Sequence, residues 1–382
     1  MHQIIHSARR IDLSALPSAG RPAPAGGDWV HVRDGVVEAT GRGESWRALL
    51  ARGDVPDDAT VTDAGGRLLT AGWVDQHCHG GDEVSFDDDG DLEPAVRIHR
   101  EHGTRALVAS LVTNPLDVEA AAASRLAAAV KLSDTLVGIH LEGPFLETAY
   151  KGAHAPGFLR PPVLADVQRL YDACDGELRQ ITLAPEHDEG FAATRWLVER
   201  GVAVAVGHTA CTRDIAMAAF DAGASILTHA FNGMPGLHHR EPGPLGAALD
   251  APHVTLELIG DLVHVQPTLI RTLFSAAPGR IALITDAMSA TGCSDGHYML
   301  GSLGVTVAEG VARLDVGGSI AGSTLTMDEA VRRTVACGVA LEDAVEAATL
   351  TPAWTMGLPA FPLVGERLDP FLVEADGTAV AA

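Results

Sequence analysis

The sequence predicts an α/β protein: a (β/α)8 TIM barrel carrying a small β domain built from the two ends of the chain. Three observations carry that reading. From about Trp73 onward, short apolar segments of strand character alternate with helix-like stretches, and eight such strands can be counted. Strand after strand is apolar until its last residues, then ends in a side chain that can hold a metal or a proton: His77 and His79, Glu142, Glu186, His208, His229, Asp286. Residues 1–70 and 357–382 instead read as short β pieces separated by turns.

In chain order, Asp34-Gly35 between WVHVR and VVEAT is a hairpin signal, because both turn positions need φ above zero. The Pro/Gly/Ala-rich residues 16–27 read as a loop. The barrel strands are expected at 73–79, 105–113, 136–142, 181–186, 202–208, 225–230, 254–260 and 281–286. Helices are expected at 117–131, 163–174, 188–200, 212–222 and 266–276, then at 326–337 and 341–350. Strands alternating with helices imply right-handed crossovers and a parallel sheet. An open doubly wound sheet has the same periodicity, but it would spread the strand ends along a line. A closed barrel gathers them on one C-terminal face, where a single site can use them all. The barrel is preferred. It spans residues 71–350, and segments 1–70 and 351–382 form the small domain.

Composition narrows the function. The chain has 382 residues, with 27 Lys+Arg against 50 Asp+Glu and a formal net charge of −23. Such a balance repels nucleic acid and anionic membrane, leaving small molecules as ligands. Five cysteines without a C-x-x-C pair suit a reducing compartment rather than a disulfide framework. With no signal-peptide pattern and no apolar run near ~18 residues, a cytoplasmic protein is expected.

His77 and His79 are alternate residues of one strand, so both imidazoles face one way and Cys78 the other. One H-x-H pair alone is a weak metal signal. Glu142 in GIHLEGPF, His208 in AVGHT and His229 in LTHAFN strengthen it, since an apolar core gives no reason for them. Asp286 in IALITDAMSATG follows four apolar residues, where an aspartate needs a metal, a donor or water. Beside a metal it can serve as general base and then general acid. Its plain alternative is a loop cap. His99, His102, His187 and His253 read as solvated or helix-surface, and His238 and His239 as exposed loop.

The motifs GWVDQHCHG, HLEGPFLETAYKGAH, GHT, THAFNGMPGLHHREPG, LIGDLVHV, ITDAMSATG and GSIAGSTLTMDEAVR occur in this order over residues 67–357. They resemble those of the N-acetylglucosamine-6-phosphate deacetylases of the amidohydrolase superfamily. The resemblance implies a (β/α)8 barrel with a β-sandwich made from both termini, and hydrolysis of a sugar acetamide to acetate and glucosamine 6-phosphate. It also implies metal ligation by Glu142, His208 and His229, with His77 and His79 at a second metal position. Asp286 matches the catalytic aspartate, which also faces the metal. Lysine is absent from the strand ends, so Glu142 rather than a carbamylated lysine takes the bridging role. One or two divalent ions are implied, Zn first and Fe, Mn or Co as alternatives.

For the substrate, the resemblance implies contacts from Ala153, His154, Asn232, Gly233, Ile320, Ala321 and Gly322. His154 polarises the acetyl carbonyl, and Arg240 and His264 hold the phosphate. A homodimer is implied, with Arg240 reaching the neighbouring site. The tail LVGERLDPFLV departs from the G-x-x-A-D-L-V-V type common in the superfamily. Glu186 in LAPE fits a structural role as well as substrate contact. Two other functions stay open: deacetylation of N-acetylgalactosamine 6-phosphate, and a non-catalytic sugar-phosphate-binding barrel.

Overall fold

Eight parallel strands form the central sheet, each paired with its chain neighbours: Trp73–Cys78, Thr104–Val112, Leu136–Glu142, Leu178–Leu183, Ala203–Val206, Ile226–Leu227, Thr255–Ile259 and Ile281–Ile284. The computed structural model describes residues 1–9, 27–358 and 364–382. The first and eighth strands meet beyond their ends, where Asp286 N donates to His77 O at 2.9 Å and His79 N to Ala287 O at 2.7 Å. Those bonds close the barrel. The strands are apolar runs rather than alternating ones because helices cover the outside while the interior is also filled. Trp73–Cys78, Thr255–Ile259 and Ile281–Ile284 are buried along their whole length.

Most expected helices lie within a residue or two of their places: Leu116–Val130, Leu164–Ala173, Arg213–Asp221, Pro267–Ala276 and Met327–Ala336. The one expected over 188–200 is only Ala192–Val198. Gly190 and Phe191 take φ of 61° and 56°, which breaks the turn before it. Asp188 then caps the shortened helix, accepting from Ala193 N at 3.0 Å and Thr194 N at 2.8 Å. Beside the short Arg47–Ala51 and Leu350–Thr355, two longer helices, Glu93–Glu101 and Gly243–Asp250, were not expected. The second is hidden in sequence by its Gly-Pro start and a further glycine, which read as loop.

The largest departure follows the eighth strand. A three-stranded antiparallel sheet, Gly296–Leu300, Leu303–Ala308 and Val311–Leu314, stands between it and the next helix. Its second turn is Glu309-Gly310, with φ of 53° and 72°, so the short alternating strands and a positive-φ pair were a readable signal. This sheet packs Leu300, Val305 and Leu314 on Val112 and Met288 at the top of the barrel.

The two ends of the chain do meet. Strand Phe371–Val373 pairs antiparallel with Leu68–Thr70, and a four-stranded sheet is built from His2–Ala8, Asp28–Arg33, Val36–Arg42 and Thr60–Asp63. Both sheets bury side chains in one core that includes Ile5, Val30, Val37, Leu69 and Leu372. Asp34 and Gly35 form the expected hairpin turn, with φ of 50° and 76°. Most of the loop expected at 16–27 lies outside the described residues. Helix Leu350–Thr355 runs under the opposite end of the barrel, where Ala353 packs on Val74 and Ala106. No helix among the described residues is long and apolar enough to cross a membrane.

Candidate active site

At the C-terminal ends of the strands lies a cavity of about 740 Å³. Its walls include His79, Glu142, His154, His208, His229 and Asp286, and also Ala153, Asn232, Gly233, His264, Ile320 and Gly322. These are twelve of the fifteen residues expected from sequence. His77 lies just beneath, fully buried, with its Nε2 3.1 Å from His79 Nε2. Ala321 instead packs among Val112, Met288 and Leu300, and its N–H donates to Ala312 O at 3.1 Å, so it offers the cavity neither side chain nor N–H. Arg240 is exposed on the loop after the sixth strand, 2.8 Å from His239 Nε2, and is not part of the cavity wall of its own subunit.

The side chains that converge do so through unusual backbone. His208, His229 and Asp286 have φ of 46°, 25° and 49°. A non-glycine residue in that region costs about 1–3 kcal/mol, and such strain concentrates at functional sites. Here it lets the ends of the fifth, sixth and eighth strands turn their side chains inward over the barrel mouth.

The tautomers of the histidines follow from their outer partners. His208 Nδ1 lies 2.8 Å from Tyr150 O and His229 Nδ1 lies 3.2 Å from Asn232 O. A carbonyl can only accept, so both Nδ1 atoms carry the proton and both Nε2 atoms present lone pairs. Those two Nε2 atoms are 3.0 Å apart, and each is 3.1–3.2 Å from Glu142 Oε1. Three acceptors facing one another repel unless a cation sits among them. The donor set fits a divalent metal, with geometry typical of imidazole and carboxylate ligation.

His77 repeats the pattern. Its Nδ1 donates to Glu257 Oε2 at 3.1 Å, which turns Nε2 toward His79 Nε2, Glu142 Oε1 at 3.5 Å and Asp286 Oδ1 at 3.6 Å. His154 is different. Thr113 N donates to its Nδ1 at 3.4 Å, so the proton is on Nε2 and points toward Glu142 Oε2 at 3.3 Å. Burial, only partly offset by Glu142, lowers its pKa to about 4, so His154 is a neutral N–H donor aimed into the cavity.

Electrostatics show what the cavity demands. Burial works against ionisation of Asp286, yet His77 and His79 hold its carboxyl down at about 2. Burial likewise opposes charge on His79, but Asp286 and Glu142 raise its pKa to about 9. The two carboxylates call for positive charge between them. In the far wall, burial lowers the pKa of His264, but Asp261, 2.6 Å from its Nδ1, more than compensates and leaves it above the ordinary value.

Several polar residues near the site were not expected. Glu257 and His140 lie inside strands, and His140 is held between Ser110 Oγ at 2.9 Å and Thr182 Oγ1 at 2.8 Å. Glu186 stays outside the cavity and binds the loop after His208, accepting from Thr209 Oγ1 and from Ala210 N at 2.6 Å. His99, expected near solvent, is fully buried: its Nε2 is 3.0 Å from Gly80 O and 3.2 Å from Cys78 Sγ. Its helix turns that face onto the first strand, so helical spacing alone misjudged it. His238 and His239 are exposed as expected.

No family model matches the chain. Among curated proteins it is 40% identical over 309 residues to an N-acetylgalactosamine-6-phosphate deacetylase of Escherichia coli O157:H7, covering 79% of this chain and 82% of that protein. An N-acetylglucosamine-6-phosphate deacetylase of Vibrio furnissii is 36% identical, with 76% of this chain and 74% of that one covered. The chain belongs to the N-acetylglucosamine-6-phosphate deacetylase family. A solved structure from this family agrees over nearly the whole fold: an aspartate-to-alanine variant from Mycobacterium smegmatis in complex with N-acetyl-D-glucosamine 6-phosphate. It has 38% sequence identity and a TM-score of 0.86, and the match covers 99% of this chain and 96% of that one. The family likeness includes the small sheets as well as the barrel.

Proposed function

We propose that the protein is a metal-dependent amidohydrolase that converts N-acetyl-D-glucosamine 6-phosphate to D-glucosamine 6-phosphate and acetate, in amino-sugar catabolism or cell-wall recycling. The observation that carries this is the meeting of Glu142, His208 and His229 with Asp286 at one cavity, in a chain of this family. A non-catalytic relative has no use for that set. Glu142, His208 and His229 would hold one divalent ion, and His77 and His79 would hold a second, with Glu142 near both pairs and Asp286 beside His77 and His79. Zinc is the first expectation, with Fe, Mn or Co as alternatives that availability decides. Such an ion supplies Lewis acidity, activating water near neutral pH and drawing charge from the acetyl carbonyl.

The protein's own groups do the rest. Asp286 takes the proton of the attacking water and passes it to the departing nitrogen, because an amine leaves poorly until protonated. The Nε2–H of His154 donates to the carbonyl oxygen as negative charge grows there. Asn232, Gly233, Ile320 and Gly322 position the sugar, and imidazolium of His264 offsets the phosphate. Ala321 supports Ile320 and Gly322 from the apolar side. Segments 1–70 and 351–382 are read as one small domain and 71–350 as the barrel, with the helix at 350–355 as the junction. All five cysteines are free, which supports the cytoplasm as the compartment.

A second reading has its own support. The relative at 40% identity is a galactosamine-type deacetylase, against 36% for the glucosamine type. The ratio of kcat/KM for the two epimeric 6-phosphates decides: a tenfold preference for the galacto epimer would reverse the substrate assignment.

Two expectations follow for the sugar half of the site. A Cβ at Gly233 would stand 2.9 Å from His208 Nδ1 and 3.3 Å from His229 Cε1, on a backbone with φ of +61°. Gly233→Ala therefore displaces both imidazoles, and a misplacement of this size costs roughly 10²-fold in kcat/KM. Steady-state kinetics within threefold of the parent would contradict it. Because Asp261 raises the pKa of His264 against the effect of burial, its cation lasts to higher pH than that of an ordinary histidine and is lost as pH rises through the raised value. KM for the phosphorylated sugar should climb on the alkaline side, and His264→Asn should flatten the profile. A parent profile already flat to pH 9 would remove His264 from phosphate binding.

Arg240 lies outside its own cavity wall, which supports a homodimer in which it reaches the neighbouring phosphate. Mixing Asp286→Asn with Arg240→Ala subunits then rebuilds one complete site in each mixed dimer, so roughly a quarter of wild-type sites reappear by symmetry counting. Activity that stays at the sum of the two variants after subunit exchange means that Arg240 acts within its own subunit.

A further inference from the structure

Glu257 lies in the seventh barrel strand, Thr255–Ile259, and is fully buried. All its side-chain partners are donors. Oε1 accepts from Gln76 Nε2 and from Gln180 Nε2, each at 2.8 Å. Oε2 accepts from His77 Nδ1 at 3.1 Å and from the backbone N–H of His229 at 3.3 Å. None of these partners is a lysine or an arginine. A buried carboxylate with no lysine or arginine beside it is costly relative to water; a glutamine of the same shape could accept from the two amides, but its NH2 would then face two more donors, His77 Nδ1–H and the His229 N–H. Those two donors, rather than packing, therefore call for an acid here.

What the charge does is visible at its second oxygen. The bond from His77 Nδ1 fixes the ring orientation and turns Nε2 inward, 3.1 Å from His79 Nε2. The same oxygen holds the N–H of His229, whose φ of 25° carries its ring over the cavity toward Glu142. One atom thus serves a side chain from the first strand and a backbone turn after the sixth. We propose that Glu257 is a positioning residue for both halves of the metal centre, orienting His77 through its ring and His229 through its main chain. The inference rests on the metal reading of those histidines given above. Carboxylates behind ligand imidazoles fix ring orientation and strengthen the donor nitrogen, and their loss costs about 10–100-fold in metal affinity.

The test is zinc binding by metal-free protein, followed calorimetrically for the parent, Glu257→Gln and Glu257→Asp. The parent should take up two equivalents. In Glu257→Gln the equivalent at the His77 position should weaken about 10–100-fold and the other by less. Glu257→Asp keeps the charge at shorter reach and should fall between. Where the glutamine variant does not fold, the aspartate variant carries the same comparison. Unchanged affinities at both positions, with or without a shift in unfolding temperature, mark Glu257 as a packing residue and overturn the proposal. So does a parent that binds a single equivalent. Failure of the functional reading shows separately, as a parent that binds zinc as described yet releases no acetate from an N-acetylhexosamine 6-phosphate.

Discussion

Asp286→Asn should lower kcat by roughly 10²–10⁴-fold, the range that a positioned acid–base group supplies, while KM stays within about threefold. Asparagine keeps the shape and the backbone bonds, in which Asp286 N donates to His77 O at 2.9 Å and Ser323 N to Asp286 O at 2.7 Å. It cannot carry a proton. The parent carboxyl is held near 2, so it is ionised and ready to accept throughout the neutral range. A carboxylate with so low a value is a weak base toward bulk water. A bound ion would supply the acidity that lets so weak a base take the water's proton, and the leaving amine takes that proton onward. Steady-state kinetics decide, and kcat within tenfold of the parent would remove the shuttle role.

The second large effect separates the two halves of the metal centre. His208→Ala removes one of three acceptors that meet at 3.0–3.2 Å, leaving Glu142 and His229 too few to hold an ion firmly. Activity and tightly held metal should both vanish. His77→Ala should keep the ion at His208 and His229 and lose at most part of the activity, because Glu142 faces both positions. Elemental analysis alongside kinetics reads both variants. A His77→Ala protein that binds no metal at all would make the H-x-H pair the primary position and reverse the ranking.

How much of this was legible depended on where the chemistry sits. Six of the site residues lie at or just past the ends of regular strands, and there the apolar pattern breaks abruptly: Ile-Ala-Leu-Ile before Thr285 and Asp286, or Ala-Val-Ala-Val before Gly207 and His208. Such breaks have no packing reason, so the sequence exposes them. The order of all eight strands followed from the same runs, though the fourth lies three residues earlier than expected, at Leu178–Leu183, and the sixth is only Ile226–Leu227. The second layer was less visible. Glu257 in VTLELIG and His140 in LVGIHLE stand inside the runs, where one polar letter reads as noise. Yet a parallel barrel strand is buried on both faces, so a glutamate at its centre must have donors around it. That argument was available and would have found Glu257.

The three-stranded sheet after the eighth strand was missed for another reason. Its strands are only four to six residues long and are passed over easily beside the barrel repeats, although both its turns, Gly301-Ser302 and Glu309-Gly310, were readable. His99 was misplaced because its neighbours Arg97 and Arg100 are exposed residues of the same short helix, and only packing against Cys78 and Gly80 reveals the buried face.

The most direct test is one sample measured two ways. Purified protein reconstituted with zinc and freed of excess is assayed for acetate released from N-acetyl-D-glucosamine 6-phosphate, and its bound metal is counted. The geometry predicts stoichiometric metal and steady acetate release that disappears on chelation and returns when zinc is restored. Turnover that survives complete removal of the metal, or none at all with the metal fully bound, would contradict it.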